Sequence, residues 1–406
     1  MRKDWSYLKL GEVTKTINGL WTGKNPPFIN VAVVRNTNFT KNCELDMTDV
    51  AYIDVEQKQY SSRKLLPGDI VIEKSGGTEK QPVGRAVLFN IKEGEYSFSN
   101  FTATLRVLDT NVLQPSFLHK YLQAKYMQGI TCSMQAKTTG IHNLDFKAYK
   151  NISIPIPPIP IQQTVVAELD KIRHLIELKR SQLNDLDFLI QSIFYNMFGD
   201  PVENEKNWDI KRLSEMSSLI CNGNTPKGGS EVYVKEGFLF LRSQNVWKNR
   251  LELDDVAYID EQTHAKLKKS VLMHNDLLIT KTGRVNTENS SLGRTALFEG
   301  EDGSANINGH VYLVRLKKGM LHKFVLYILI SNSYRELIRK TCVGGIDKRQ
   351  LNRDHIEDFP IIFPPMDLQE KFVMRIEKIE QLKKQLNSTI IDLETLLASR
   401  TQYWFD

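Results

Sequence analysis

Hydrophobic and polar residues alternate along the chain in two kinds of pattern. Short apolar runs bounded by turn-forming residues predict β-strands, and apolar residues spaced by three and four predict helices. The predicted strands are residues 28–34, 69–74 and 103–107, with counterparts at 237–242, 276–281 and 311–316. The predicted helices among these strands are residues 115–126 and 322–340. Each half of the chain is therefore expected to hold an α/β (mixed α+β) domain.

Two further segments carry a narrow apolar stripe with the spacing of a coiled coil. The stripe positions are Val165, Leu169, Ile172, Ile176, Leu183, Leu186 and Ile190 in the first segment, and Phe372, Ile376, Ile379, Leu386, Ile390 and Leu393 in the second. A stripe this narrow suits a partner helix better than a thick globular core, although an ordinary surface helix is the alternative. Because a whole domain separates the two helices, we predict that they pair antiparallel. Helices of this length span about 55 Å and would act as a spacer between the domains.

The sequence contains an internal repeat. Residues 50–54, Val-Ala-Tyr-Ile-Asp, recur identically at 256–260, and further blocks recur in the same order at offsets of 203 to 209 residues. A polar segment with Gly and Pro, residues 198–208, separates the halves. We predict a globular domain at 1–155, a long helix at 156–199, a second globular domain at 200–362 and a second long helix at 363–406. An internal repeat of this kind predicts pseudo-two-fold symmetry.

Composition narrows the function classes. The chain has 406 residues, 25% of them charged, and a net charge of +6, which suits a polyanionic partner without requiring one. The four cysteines lie far apart and no histidine motif accompanies them, so we expect no metal centre. The polar start MRKDWSYLKL and the lack of a long apolar run favour a cytoplasmic protein without a membrane segment. No Walker A sequence is present, which disfavours an ATPase.

Three loops recur at matching places and carry side chains suited to DNA. They are residues 35–38 with 242–245, 74–77 with 281–284, and 137–145 with 343–351. Lysine, serine, threonine and arginine donate to phosphates and base edges, and arginine, asparagine and glutamine pair bidentately with bases. A plain solvated turn, or a framework ion pair for the arginines, is the alternative for each loop. The candidate DNA-binding residues are Arg35, Asn36, Asn38, Lys74, Ser75, Gly76, Arg85, Lys137, Thr138, Arg242, Ser243, Gln244, Asn245, Lys281, Thr282, Arg284, Arg294 and Lys348.

One short stretch points to a different function. Residues 25–28 read Asn-Pro-Pro-Phe, the tetrapeptide with which amino-methylating DNA methyltransferases hold the target nitrogen of a flipped base. The chain has no F-x-G-x-G sequence for S-adenosylmethionine near it, and the repeat places it opposite a loop of different length, Gly223–Pro226. We therefore interpret the stretch as a proline turn leading into the strand at Phe28.

The duplicated motifs resemble those of the DNA-sequence specificity subunits of type I restriction-modification systems. The resemblance rests on the W-x4-L-x-E openings, the GDIVIEKSGG and NDLLITKTGR segments, the GRAVLF and GRTALF turns, and the PIPPIPIQQ and FPPMDLQE entries to the long helices. It covers essentially the whole chain. Each motif is loose alone, and their duplicated order is what makes the resemblance specific.

The resemblance implies a non-catalytic chain that reads a bipartite, asymmetric site in double-stranded DNA, one recognition domain per half-site. It also implies two methyltransferase subunits docked on the helical spacer, with endonuclease/translocase subunits completing the complex. This chain would hold no cofactor, and S-adenosylmethionine would be bound by the methyltransferase partner. An adenine-N6 methyltransferase in one chain and a coiled-coil scaffold that binds no DNA are the alternative functions.

Overall fold

The computed structural model describes residues 5–21, 23, 25–79, 81–138, 141–285, 287, 289–345 and 348–406. The chain forms two compact units, one of residues 1–180 with 388–406 and the other of residues 181–387. Two helices of 40 residues, Ile159–Phe198 and Met366–Phe405, each contribute one half to each unit. The four-part domain division drawn from the sequence stays a prediction, because the compact units cut through both helices.

The first unit is built on two sheets. An antiparallel four-stranded sheet has the order Thr14–Asn18, Thr102–Val107, Asp69–Glu73, Ala86–Phe89. A mixed three-stranded sheet has the order Ala51–Glu56, Phe28–Val34, Tyr96–Phe98. The short strands Ser6–Lys9 and Ser153–Ile156 pair where the chain enters and leaves the unit. The helices are Leu10–Val13, Gln57–Arg63, Pro115–Met127 and Phe146–Lys150, with 3-10 turns at Asn36–Asn38 and Ile130–Met134.

The second unit repeats this plan. Its four-stranded sheet has the order Ser217–Asn222, Val311–Leu316, Leu277–Thr280, Thr295–Leu297, and its mixed sheet the order Ala257–Ile259, Phe238–Leu241, Ala305–Ile307. Ile210–Arg212 pairs with Pro360–Ile362, and Val246–Trp247 with Arg250–Leu251. The helices are Leu213–Met216, Glu261–Lys266, His322–Leu329, Asn332–Thr341 and Arg353–Glu357, with 3-10 turns at Gly229–Val232, Ser243–Asn245 and Lys268–Ser270. The mixed fold class and the internal repeat predicted from the sequence are thus confirmed.

A buried ion pair occupies the same place in both four-stranded sheets. The Arg106 guanidinium donates to both carboxylate oxygens of Asp69 at 2.7 Å, and the Asp69 side chain is almost fully buried. Arg315 makes the same bidentate pair with Asp276, at 2.9 and 2.7 Å. Bidentate arginine–carboxylate pairs fix geometry as well as charge, so the pair holds neighbouring strands in the same register in both units.

The long helices run antiparallel within each unit. In the first unit Arg180 pairs with Glu394 at 2.6 Å, and further along Glu168 accepts hydrogen bonds from Arg400 and from the Trp404 indole. In the second unit Lys383 pairs with Asp187. The Arg375 guanidinium lies 3.8 Å from the Met197 sulfur, at the positions that correspond by the repeat to Glu168 and Trp404. The antiparallel pairing predicted from the stripe is confirmed.

The ends of the long helices also pack on the globular cores, which the narrow stripe did not predict. Val165 and Leu169 belong to the same buried cluster as Phe117 of the first unit. Phe194 and Phe198 join the core of the second unit. These aromatic side chains, one turn apart, widen the apolar stripe at the helix end, and Phe405 does the same at the end of the other helix. The middle of the stripe, at Leu183, Leu186, Leu386 and Leu393, is only half-buried.

The single helix predicted over residues 322–340 is wrong, because the structure has two helices there. The first ends at Leu329, and Ser331 caps the second by accepting a hydrogen bond from the Tyr334 backbone N–H at 3.3 Å. Serine and asparagine are favoured at such starts, since their side chains satisfy the unpaired N–H groups of the first turn. No helix within the described ranges is long and apolar enough to cross a membrane.

Candidate nucleic-acid interface

Two of the three predicted loops meet in a small sheet of the first unit. The strand Ser75–Gly77, which follows Lys74, pairs with Ile141–Leu144, and that strand pairs with Gln135–Thr138. Asn143 lies opposite Ser75, and the Ser75 hydroxyl donates to its side-chain oxygen. Two loops about 65 residues apart in the sequence therefore lie side by side, and the surface that the converging loops form in each unit is called the loop edge below.

The third loop reaches the same edge through a bridging segment, residues 99–101. Its Ser99 N–H donates to Val34 O at 2.9 Å, directly before Arg35, and its Phe101 O accepts from the Lys74 N–H at 2.9 Å. The Asn36 amide lies 3.4 Å from Ser75 O. The loop after the strand Phe28–Val34 is therefore held against the loop that begins at Lys74.

The second unit assembles its loops in the same way. The Asn308 N–H donates to Leu241 O at 3.0 Å, directly before Arg242, and the Lys281 N–H donates to His310 O at 2.8 Å. A three-stranded sheet joins Thr282–Gly283, Arg349–Gln350 and Val343–Gly344 in that order. The repeated loops thus converge twice, and each unit carries one loop edge.

Gly76 allows the close approach of two loops in the first unit. Its φ of +101° lies in the region that L side chains rarely adopt, and an added Cβ would stand 2.7 Å from the Asn36 amide nitrogen. A side chain here would strain the backbone and would displace the end of the Asn36 side chain. Gly76 is therefore a structural requirement of the edge, and its exposed backbone is open to a ligand.

Most of the predicted residues keep solvent-accessible side chains at these edges. Half-buried are Arg35, Asn36, Lys74, Ser75, Arg242, Ser243, Lys281, Thr282 and Arg294, whereas Gly76, Gln244, Arg284 and Lys348 are exposed. Burial lowers the pKa of the Lys74 ammonium, whose Nζ lies 3.4 Å from Asn18 Oδ1. Lys281 Nζ lies 5.8 Å from the centroid of the Tyr312 ring. The side chains of Lys137 and Thr138, with the loop tip at 139–140, lie outside the described residues, and DNA contact at the other positions stays a prediction.

Asn38 and Asn245 are framework residues, and their assignment to DNA contact is wrong. They are 2% and 1% exposed. Asn38 Oδ1 accepts from the Arg35 N–H at 3.0 Å, and its amide donates to Asp46 O and Asp49 O. Asn245 makes the equivalent three bonds, to the Arg242 N–H and to the carbonyls of residues 252 and 255. Buried polar groups are used up by such bonds, so neither amide is available to a base.

Arg85 is also a framework residue rather than a DNA contact. It is 5% exposed and makes a bidentate ion pair with Glu73, with both distances at 2.8 Å. Its remaining donors reach Phe39 O at 2.6 Å and Asn36 O at 3.3 Å. The framework ion pair that the sequence left as an alternative for Arg35 and Arg242 is present at Arg242, whose guanidinium lies 3.4 Å from the Asp255 carboxylate.

The sequence search missed exposed aromatic rings beside the loops. Trp21 is 63% exposed and lines a small cavity of about 220 Å³ together with Arg35 and Asn100. Phe101 is 42% exposed and lies next to Gly76. In the second unit Trp247, which is half-buried, lies just after the loop Arg242–Asn245. Aromatic residues in polar loops were the available signal, because large aromatic side chains are highly buried on average.

We expect Asn38→Ala to lower the free energy of unfolding by about 1–3 kcal/mol, because it leaves one N–H and two carbonyl groups without their partner. The matched control is Thr37→Ala, one residue away and exposed, which should change stability by less than about 0.5 kcal/mol. Chemical denaturation measures both. A stable Asn38→Ala protein with altered base preference would restore Asn38 as a reader.

The Asn-Pro-Pro-Phe stretch is a turn into a strand, as its interpretation from the sequence has it. The Asn25 N–H donates to the Glu56 carboxylate at 2.7 Å, and Phe28 begins the strand Phe28–Val34. Among the described residues there is no group of three or more His, Cys, Asp or Glu side chains placed to hold a metal ion.

Comparison with known proteins gives the chain a family. The family model of the type I restriction modification DNA specificity domain matches twice, at residues 2–187 and 205–394. The two matches fall on the two halves of the repeat.

Individual relatives and structures agree with this. The chain is 21% identical over 420 residues to the StySPI type I restriction enzyme specificity subunit of Salmonella potsdam, covering 97% of this chain and 87% of the relative. It is 22% identical over 418 residues to the EcoKI specificity subunit of Escherichia coli K12, with the same coverage. The fold is similar to the type I restriction-modification S subunit of M. genitalium, with a TM-score of 0.54, 13% identity and coverage of 100% and 98%. A chain from a structure on assembly of the type I R-M system gives a TM-score of 0.59 at 17% identity, again covering 100% and 98%. With two family-model matches that take in most of its length, this chain belongs to the type I restriction modification DNA specificity family.

Proposed function

We propose that the chain is the specificity subunit of a type I restriction-modification complex and that each unit reads one half of a bipartite, asymmetric DNA site. The observation that carries the proposal is the double convergence of the loops. The bonds that place Lys74 beside the Arg35 loop recur as the bonds that place Lys281 beside the Arg242 loop. The two units share one arrangement of loops but carry different side chains on it, which suits recognition of two different short sequences.

The side chains at each edge fit recognition in a groove. Amides such as Asn36 and Gln244 pair with base edges, while Lys74, Lys281 and Arg284 supply positive charge for phosphates and guanine. Unequal pairs at equivalent positions, Asn36 against Ser243 for example, support unequal half-sites. The 40-residue helices are proposed to set the spacing between those half-sites.

Methyltransferase partners are proposed to dock on the long helices, one per unit. Large apolar side chains lie exposed there outside the stripe, and two of them recur by the repeat. Leu175 and Leu396 lie in the first unit, and their counterparts Leu382 and Leu189 lie in the second; they are 36%, 44%, 50% and 46% exposed. Equivalent exposed leucines in both units support two docked subunits.

Catalysis is proposed to belong to the partners. Methyltransferase subunits would bind S-adenosylmethionine and methylate, endonuclease/translocase subunits would cleave, and this chain would hold no cofactor. Its own contribution is to hold the complex on a chosen DNA sequence. Contacts with bases determine which sequence is bound, and contacts with phosphates fix the position of the protein on the duplex.

The test is selection of DNA by the full chain co-expressed with its methyltransferase partner. Duplexes recovered from a random library should share two short blocks of sequence separated by a spacer of constant length and variable sequence. Binding should weaken steeply with salt, as phosphate contact requires. A complex that assembles but recovers no shared sequence would refute the recognition function and leave the scaffold alternative.

A further inference from the structure

The second unit carries a tryptophan enclosed by arginines, a feature absent from the sequence of the first half. Trp247 lies on the hairpin formed by Val246–Trp247 and Arg250–Leu251. The Arg294 guanidinium carbon is 3.8 Å from the centroid of the indole, and that of Arg250 is 5.2 Å away. A guanidinium stacked on an aromatic face keeps its N–H edges free for planar acceptors. Trp247, Arg250 and Arg294 are called the Trp247 cluster below.

Among the described residues, the positive charge of the cluster is only partly balanced. Arg250 pairs with Glu252 at 2.7 Å. Arg294 instead donates to two backbone carbonyls, Ser290 O at 3.1 Å and Asn289 O at 2.5 Å. Burial lowers the pKa of Arg294, and the positive charges of Arg335 and Arg250 lower it further, against the opposing charge of Glu252. A group of like charges held this close attracts an anion, because each charge is stabilised by the same negative partner.

The equivalent place in the first unit is neutral by contrast. Arg85, which corresponds to Arg294, is neutralised by the buried Glu73, and the residue that corresponds to Glu73 is Thr280. The positions of Trp247 and Arg250 are taken by Thr40 and Glu44, because Phe39 faces Leu45 in the first unit as Val246 faces Leu251 in the second. At these equivalent positions the second unit therefore lacks the acids Glu44 and Glu73 and carries a tryptophan and a second arginine.

The cluster borders two of the loops at the edge of the second unit. The Trp247 indole N–H donates to Gln244 O at 2.9 Å. The backbone N–H of Arg294 donates to the hydroxyl of Thr280 at 2.8 Å, and Thr280 directly precedes Lys281. A duplex read by Gln244 and Lys281 would bring its sugar–phosphate backbone within reach of the neighbouring arginines. The Nε and Nη2 groups of both arginines are used in the bonds above, so their Nη1 groups are the donors left for charge-assisted hydrogen bonds to a phosphate.

We propose that Arg250 and Arg294, positioned by Trp247, bind a DNA backbone phosphate beside the half-site read by the second unit, and that the first unit has no equivalent site. The inference rests on the proposed function. It makes the two half-sites unequal in electrostatic attraction as well as in sequence.

The experiment measures DNA affinity of the full chain with its methyltransferase partner across a salt series. Arg294→Gln and Arg250→Gln should each weaken binding several-fold to target and non-target duplexes alike. Each should also reduce the slope of log affinity against log salt by up to about 1, the amount expected for one phosphate contact. Arg294→Lys keeps the charge and should retain most of the slope. Arg212→Gln, which removes an exposed arginine paired with Asp358 outside the cluster, should leave it unchanged.

Neutral phosphates locate the contact. Methylphosphonate groups are introduced one at a time around the half-site of the second unit. At the contacted phosphate they should weaken binding by the unsubstituted chain and have little further effect on Arg294→Gln. Inorganic phosphate, tested by its effect on thermal stability, should stabilise the unsubstituted chain weakly at most.

Three results would overturn the site. The first is an unchanged salt slope in folded Arg294→Gln and Arg250→Gln complexes. The second is a changed base preference at one position with the slope intact, which would make the cluster a base reader. The third is tight binding of inorganic phosphate without any methylphosphonate effect, which would make it a site for free anions. If the unsubstituted complex shows no site-selective binding, the proposed function falls and this site falls with it, whereas selective binding with unaltered variants refutes the site alone.

Discussion

Phe372→Ala is expected to lower the free energy of unfolding of the second unit by about 3–5 kcal/mol. Phe372 is completely buried near the start of the second long helix. Its ring lies 5.4 Å from that of Phe194 and 5.5 Å from that of Phe198, both edge-on, and it also contacts the rings of Phe324 and Tyr327. Truncation therefore removes the ring that joins both long helices to the globular core of this unit.

The matched control is Phe188→Ala on the first long helix. Phe188 belongs to the same unit and is 69% exposed, so its loss should change stability by less than about 0.5 kcal/mol. Phe372→Leu, which keeps most of the volume, should fall between the two. Denaturation followed by circular dichroism gives the three values. Equal effects at Phe188 and Phe372 would mean that the long helix is not anchored in the core of this unit.

The internal repeat explains why so much of this fold was predictable. A strand prediction that rests on one apolar run is ambiguous, but the same run at a matching place, such as 69–74 and 276–281, removes the ambiguity. The sequence predicted that the loops recur at matching positions in both halves, but not that they lie against one another. Which strands pair in the small sheets depends on tertiary contacts, for example Asn143 opposite Ser75, and no local pattern encodes them.

The role of individual polar residues depends on whether they are buried, and their burial could not be predicted from the neighbouring sequence. Asn36 and Asn38 are the same residue type two positions apart, yet one lies at the loop edge and the other is enclosed by backbone groups. Arg85 and Arg294 occupy one position of the repeat and differ because of a residue on the adjacent strand, Glu73 or Thr280. The break at Ser331 did have a local signal, a Ser-Asn-Ser run inside an apolar helical pattern, which the periodicity outweighed.

Modular recognition predicts that edge substitutions in one unit relax one half-site. We expect the double variant Gln244→Ala, Lys281→Ala to reduce discrimination in the half-site of the second unit by on the order of a hundredfold. This corresponds to two lost contacts at roughly 1–3 kcal/mol each. The other half-site should be selected as strictly as before, because the loops of the first unit are held by their own hydrogen bonds, such as Lys74 N–H to Phe101 O.

The reciprocal variant, Asn36→Ala with Lys74→Ala, is the matched control and should relax only the half-site of the first unit. Both are compared by sequencing duplexes selected from a random library by the complete complex. Neither substitution touches the buried pairs that organise the sheets, Arg106 with Asp69 and Arg315 with Asp276, so the folded structure is preserved. Equal relaxation of both half-sites by either variant would show that the two edges read DNA jointly. Two units with the same fold can have independent specificities only if each reads its half-site through its own side chains.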